Sequence, residues 1–437
     1  MSELKVSIEL NKNNILKNST NEHVKGSFQL LTSEKQDKKE QEKINLVFIL
    51  DRSTSMNDSF YNTGKTKSDA VADAVNSLLS FIQKTDTVSI ISFNGDAEVL
   101  ADHLPKNAEA KLREALDEYR DAYGYTNFEA AMQEAQKLCN RQGENYKLIF
   151  LTDGQETDGD SDNALRICRE MAERGITTDS MGIGGDFEYN FMKQFTDFSG
   201  SMTENLSDLD HAKNVFRNIY NSTTNMYLKQ VFINMHFIKE LRDVHFYMHL
   251  PSQKNYDDYI SRVDSGTAVQ VSVGNIEQQG FVEFLFDFKL DIPNQDKLQI
   301  VTAEITYSCP SQNIDNKTIK DNKEINFSDS ASDLVISSDI DNAFTDIYIL
   351  QHEDDVHKLT SQGNYAEAAN KLKTMATLAE EIGDYEKAEG YRKLEKKIIR
   401  ENHLSQEDLN AISYSSTKSS VKSTFRGGKP NKKRILV

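Results

Sequence analysis

The chain has 437 residues, a formal net charge of −18, no tryptophan and three cysteines. That length divides into two or three domains, since single cores stop growing at about 250–300 residues. The acidity argues against a nucleic-acid-binding body. The scattered Cys139, Cys168 and Cys309 argue against a disulfide framework or a Cys-type zinc site, and no apolar run nears the ~20 residues of a transmembrane helix. The opening "MSELKVSIELNKNN" lacks the apolar stretch of a signal peptide, so a reduced, cytoplasmic protein is expected.

Residues 1–43 hold two strand-like pieces, "ELKVSIEL" and "GSFQLLT", and then the charged run "SEKQDKKEQEK". The pattern changes over residues 44–222. "INLVFIL", "DTVSIISFN", "YKLIFLTDG" and "ITTDSMGIG" are continuous apolar runs, as in strands covered on both faces. "AEVLADH" is a short edge candidate. Between and after these lie helical periods: "KSDAVADAVNSLLSFIQK", "NAEAKLREALDEY", "NFEAAMQEAQKLCNR", "NALRICREMAERG", "YNFMKQFTDFSG" and "LSDLDHAKNVFRNIYNST". This alternation predicts an α/β domain with a Rossmann-like, doubly wound parallel sheet, whose binding site lies outside the carboxyl ends of its strands.

Residues 225–339 return to a period of two, in pieces such as "YLKQVFINMHF", "VHFYMHL" and "GFVEFLFDFKL". They predict an antiparallel β-sandwich. The strands of residues 1–43 have the same character and are expected to join it, so that the α/β domain is inserted in the sandwich. Residues 340–412 are helical, with breaks at Gly363 and Gly383. The echo "GNYAEAA" and "GDYEKAE" recurs too soon for a tetratricopeptide unit of about 34 residues, so a small helical bundle is expected. Residues 413–437 form a Ser/Thr-rich, basic tail that is expected to be disordered. Thr417 and Thr424 lie there among basic residues, as candidate phosphorylation sites for a phosphopeptide reader.

The chemistry concentrates at three strand ends. The first α/β strand ends in Asp51-Arg52-Ser53-Thr54-Ser55, the loop "YGYTNFEAA" offers Thr126, and a later strand ends at Asp153. Asp-x-Ser-x-Ser alone reads equally as a helix cap. Three loops at one sheet edge, with two carboxylates and three hydroxyls, instead suit a hard divalent cation in octahedral geometry, Mg²⁺ or Mn²⁺.

Those five residues resemble the motif of a von Willebrand factor type A domain with a metal-ion-dependent adhesion site, over roughly residues 44–222 of a bacterial-type multidomain layout. The resemblance implies that Ser53, Ser55 and Thr126 coordinate directly or through water. Asp51 and Asp153 would act partly through waters and hold the hydroxyls. Thr54 stands where Gly is common, at a position that is no ligand. The family's adhesion chemistry implies a partner Asp or Glu at the open coordination position.

Other motifs carry less. "TGKTK" lacks the first Gly of a phosphate loop, and "MGIGGDF" lacks the third Gly of a dinucleotide fingerprint. "DGDSDN" has Arg169 where a calcium loop needs a bidentate Glu. His245 and His249 read as core or surface imidazoles. No nucleophile–base order or general base stands out. The expectation is therefore a non-enzymatic scaffold that binds an acidic residue of a protein partner through its metal. The alternative is a regulatory subunit of an ATPase or of a kinase/phosphatase signalling complex.

Overall fold

The computed structural model describes residues 4–416, apart from 18, 20, 33–42, 62, 142–143, 185–187, 200, 291–295 and 331–337. The charged run before Ile44 falls almost wholly outside these residues, as do Thr417, Thr424 and the rest of 417–437; the first four residues of the tail expected to be disordered, 413–416, instead end a helix that runs Gln406–Ser416.

Three strands come first: β1 (Leu4–Leu10), β2 (Asn14–Leu16) and β3 (Glu22–Thr32). The α/β unit follows, with β4 (Ile44–Asp51), α1 (Lys67–Leu79), β5 (Thr87–Phe93), β6 (Ala97–Pro105), α2 (Glu109–Tyr119) and α3 (Phe128–Leu138). It continues with β7 (Asn145–Thr152), α4 (Ser161–Glu173), β8 (Thr177–Ile183), α5 (Tyr189–Asp197), β9 (Thr203–Leu206) and α6 (Leu209–Thr224). The strand order is β6-β5-β4-β7-β8-β9. β4 pairs in parallel with both β5 and β7, and so lies at the centre. Side chains alternate across it. Leu46, Phe48 and Leu50 pack under α1, α2 and α6, while Val47 and Ile49 pack with α3, α4 and α5.

Two features depart from the expected parallel sheet. β6 is antiparallel to β5, because the short link between Phe93 and Ala97 is a hairpin and too short for a crossover. The edge strand β9 was not read from the sequence. Its four residues are only partly buried except Leu206, so they present no apolar run.

Next come β10 (Met226–Ile238), β11 (Leu241–Leu250), β12 (Lys254–Asn255), β13 (Ile260–Val263), β14 (Gly266–Glu277), β15 (Phe281–Leu290), β16 (Lys297–Cys309) and β17 (Ile314–Ser328). They form two sheets, ordered β1-β3-β15-β11-β12 and β13-β14-β10-β16-β17-β2. The N-terminal strands are therefore built into both sheets, with β3 against β15 and β2 against β17. The β2–β17 pair is parallel, an exception to the antiparallel expectation, and it covers part of an edge strand. Phe28, Phe237, Phe246, Phe284 and Phe286 lie in the core between the sheets.

The helices α7 (Ser338–Ser361), α8 (Tyr365–Glu381), α9 (Tyr385–Glu401) and α10 (Gln406–Ser416) end the described chain. The last three share one core with the second half of α7. The two Gly-x-Tyr echoes mark the turns into α8 and α9, where Gly363 and Gly383 adopt φ of +72° and +80°. The first half of α7 lies on the outer face of a sandwich sheet, packing Ile340, Ala343, Phe344 and Ile347 against Tyr247 and Leu285. Between these layers His249 is fully buried, 2.6 Å from Glu283 and 3.2 Å from Asp346. Burial alone would lower its pKa, but the two carboxylates outweigh that and raise it to about 9. The sandwich also meets the α/β unit through buried Lys254, 3.3 Å from Asp197 and over the ring of Tyr256. Among the described residues no helix is long and apolar enough to cross a membrane.

Candidate metal centre

β4 and β7 are parallel neighbours in register, Leu50 facing Leu151. Their carboxyl ends therefore coincide, which sets Asp51 beside Thr152 and Asp153. Both acids are buried, at 0 % and 1 % exposed. The Asp51 carboxylate accepts the Ser53 N–H at 2.8 Å and the Thr152 hydroxyl at 2.5 Å. Ser55 donates its hydroxyl to Asp153 Oδ1 at 2.8 Å, and the Ser53 and Ser55 hydroxyl oxygens are 3.2 Å apart. No side-chain hydrogen bond from Ser53 caps the short helical turn Thr54–Asn57, so capping does not account for the motif there.

Thr126 is buried at the same edge and held from two sides. Its carbonyl accepts the N–H groups of Thr157 and Asp158 at 2.9 and 3.1 Å, and its own N–H donates to the Thr157 hydroxyl at 2.9 Å. The loop before it is fastened to the Asp-x-Ser-x-Ser turn. Tyr123 N–H donates to Arg52 O at 2.8 Å, and Asn57 Nδ2 to Ala122 O at 2.7 Å. Thr54, the departure from Gly, donates its hydroxyl to Gly124 O and accepts from Gly124 N. The non-ligand residue thus joins two of the three loops. Glu156 joins the third, accepting the first N–H groups of α3 from Phe128 and Glu129.

Burial pushes the Asp51 carboxyl up to about 6; the neighbouring Asp153 charge adds to this, while hydrogen bonds from Thr152 and Ser53 act against it. A bound cation would relieve that cost. Ligands at about 2.0–2.1 Å in an octahedral Mg²⁺ shell lie about 2.9 Å from one another. The oxygen separations of 2.8 and 3.2 Å fit that spacing. The donors are all oxygens, as a hard cation requires.

One charged group at the centre escaped the sequence reading. Lys67 Nζ is 2.6 Å from Asp153 Oδ2, with both side chains buried. Its signal was its position. Lys67 is the first residue of α1, where the helix dipole disfavours a cation unless an acid faces it. The dismissed motifs resolve as local structure: Thr66 of "TGKTK" caps α1 in a capping box with Asp69, and Asp160 of "DGDSDN" caps α4. The two histidines of "HFYMHL" make carboxylate contacts, His245 with Asp257 and His249 as above.

Residues 46–155 match the family model of the von Willebrand factor type A domain. The fold resembles that of a von Willebrand factor type A protein from Catenulispora acidiphila, with a TM-score of 0.76 at 15% identity, covering 95% of this chain and 96% of that one. It also resembles the ArnB paralog VWA2 from Sulfolobus acidocaldarius, with a TM-score of 0.60 at 15% identity over 97% and 100% of the two chains. At these identities the likeness is one of fold. Among curated sequences, an uncharacterized protein from Synechocystis is 22% identical over 199 residues, 45% of each chain. An inter-alpha-trypsin inhibitor heavy chain from Mesocricetus auratus is 24% identical over 199 residues, 43% of this chain and 21% of that one. The chain thus spans less than half the length of these curated relatives. Family match, sheet order and fold likeness agree that the α/β unit of this chain has the von Willebrand factor type A fold, with residues 46–155 matching that domain's family model.

Proposed function

We propose that this chain is a non-enzymatic, metal-dependent protein-binding scaffold that takes an acidic residue of its partner at the carboxyl edge of the α/β sheet. The observation that carries the reading is that hydrogen bonds hold the Asp51-x-Ser53-x-Ser55 turn together and link Ser55 to Asp153, and that the loop carrying Thr126 is fastened to both of their loops. When bound, a divalent cation, Mg²⁺ or Mn²⁺, supplies an electrophilic position for a carboxylate oxygen. The chain's own residues do the rest. Asp153 holds the Ser55 hydroxyl, which lies beside that of Ser53, Asp51 holds the turn through the Ser53 N–H, Thr126 would add a third hydroxyl from the neighbouring loop, and the buried strand ends exclude water behind them. The body is acidic, so an acidic partner gains at this edge only through the cation.

The test is capture of partners by the immobilised full chain in Mg²⁺ and in EDTA, followed by mass spectrometry. Capture is expected to disappear in EDTA, to return with Mg²⁺, and to be lost in folded Asp51→Ala and Asp153→Ala. Equal capture in EDTA would contradict the reading. An ATPase, kinase or phosphatase as the metal-dependent partner would favour a regulatory-subunit role.

A further inference from the structure

A third charged group, Lys67, directly contacts one of the two acids that the motif names. Lys67 Nζ lies 2.6 Å from one Asp153 oxygen, and the Ser55 hydroxyl lies 2.8 Å from the other. The two ion-pair partners are 8 % and 0 % exposed, so water screens them little. The backbone of Lys67 is fixed, and space is left for its ammonium. The Thr66–Asp69 capping box fixes the start of α1, and the Lys67 N–H donates to Asp58 O at 3.0 Å. At the far end Gly184, with φ of +94°, leaves room that a Cβ would take, 3.3 Å from Lys67 Cε and 3.4 Å from Nζ.

Asp51 and Asp153 contribute two negative charges and Lys67 one positive charge. The side-chain set sums to −1, and with a divalent cation among the five oxygens it sums to +1. We propose that Lys67 is a built-in counter-cation, a positioning residue that leaves the occupied site net positive. It thereby weakens metal binding by the chain alone and reserves the surplus charge for an incoming carboxylate. The inference rests on the metal reading above. It adds a specific consequence: by linkage, a carboxylate ligand and the cation strengthen each other's binding by the same factor. Lys67 also keeps Asp153 paired when no cation is bound, so that the three loops stay assembled.

The experiment titrates the full chain with Mn²⁺, counting free Mn²⁺ by electron paramagnetic resonance, for wild type, Asp51→Ala, Lys67→Gln, Lys67→Met and Lys67→Arg. Glutamine retains a donor for Asp153 without the charge, so the neutral arm does not depend on the methionine variant folding. Removing a positive charge a few ångströms from a divalent ion is worth more than tenfold in affinity. Both neutral variants are therefore expected to bind Mn²⁺ at least about tenfold tighter than wild type, with Lys67→Arg close to wild type. In EDTA the neutral variants are expected to melt lower than wild type, and Mn²⁺ is expected to raise their midpoints further. A folded neutral variant that binds Mn²⁺ no tighter than wild type would overturn the inference and leave the metal reading standing. Wild type that binds no more Mn²⁺ than Asp51→Ala would overturn both.

Discussion

At the residue scale, the site depends as much on side chains that touch no ligand position as on those that do. Thr54 exchanges two hydrogen bonds with Gly124 and so joins the Asp-x-Ser-x-Ser turn to the loop that carries Thr126. Thr54→Ala is expected to cost about 1 kcal/mol in urea unfolding, the net worth of such bonds, and to weaken Mn²⁺ binding severalfold. An unchanged urea midpoint would show that the loops need no such tie. The five residues of the proposed site could be picked out in the sequence, because Asp51, Ser53 and Ser55 sit in one short stretch and Thr126 and Asp153 follow at recognisable strand and helix boundaries. Lys67 was not, since its contact with Asp153 spans 86 positions and arises only when α1 is laid over the ends of β7 and β8. Thr152 escaped for a simpler reason: it reads as one more residue of an apolar strand, although its hydroxyl holds Asp51.

At the scale of elements, the α/β pattern was legible because its buried strands are continuous apolar runs and its helices keep a period near four. What escaped were elements whose partners, and not their own composition, make them strands, such as β9 and the parallel pairing of β2. The seating of α7 on the sandwich was also invisible, because His249 reads as one more residue of an alternating strand. His249 now gives that contact a pH dependence. Its facing groups are Glu283 on β15 and Asp346 on α7, and Asp346 also acts on buried Lys387 of α9. A folded-state pKa of about 9 lies above the ordinary 6.5. The stabilisation is therefore fully present below pH 6.5 and is lost as pH rises through about 9. A shift of that size corresponds to a loss on the order of 3 kcal/mol. Urea unfolding of wild type between pH 6 and 10 is expected to show that decline, and His249→Gln to be flatter across the same range. Parallel profiles would remove His249 from the account.

At the scale of the whole molecule, the chain leaves the sandwich, builds the α/β unit and returns. β3 lies between β1 and β15, and Phe28 and Leu30 sit in the sandwich core with Phe284 and Phe286. Deleting residues 1–32 should therefore expose the edge of β15 and open that core, although the segment precedes everything it stabilises. The expected result is loss of the sandwich's thermal transition and aggregation. A deletion that melts like wild type would mean that the N-terminal strands are dispensable. The α/β unit presents the carboxyl edge of its sheet beside the start of α1, and α10 packs on α5 of the same unit, Tyr189 N–H donating to Asn410 at 3.4 Å. The central claim is that this edge holds a divalent cation through Asp51, Ser53, Ser55, Thr126 and Asp153. Equilibrium dialysis of the full chain against Mg²⁺, with the bound metal counted by atomic emission, tests it most directly. One Mg²⁺ per chain, lost in Asp51→Ala, Asp153→Ala and the Ser53→Ala/Ser55→Ala pair while the fold is kept, is the predicted result. Wild type retaining no more Mg²⁺ than those variants would contradict it.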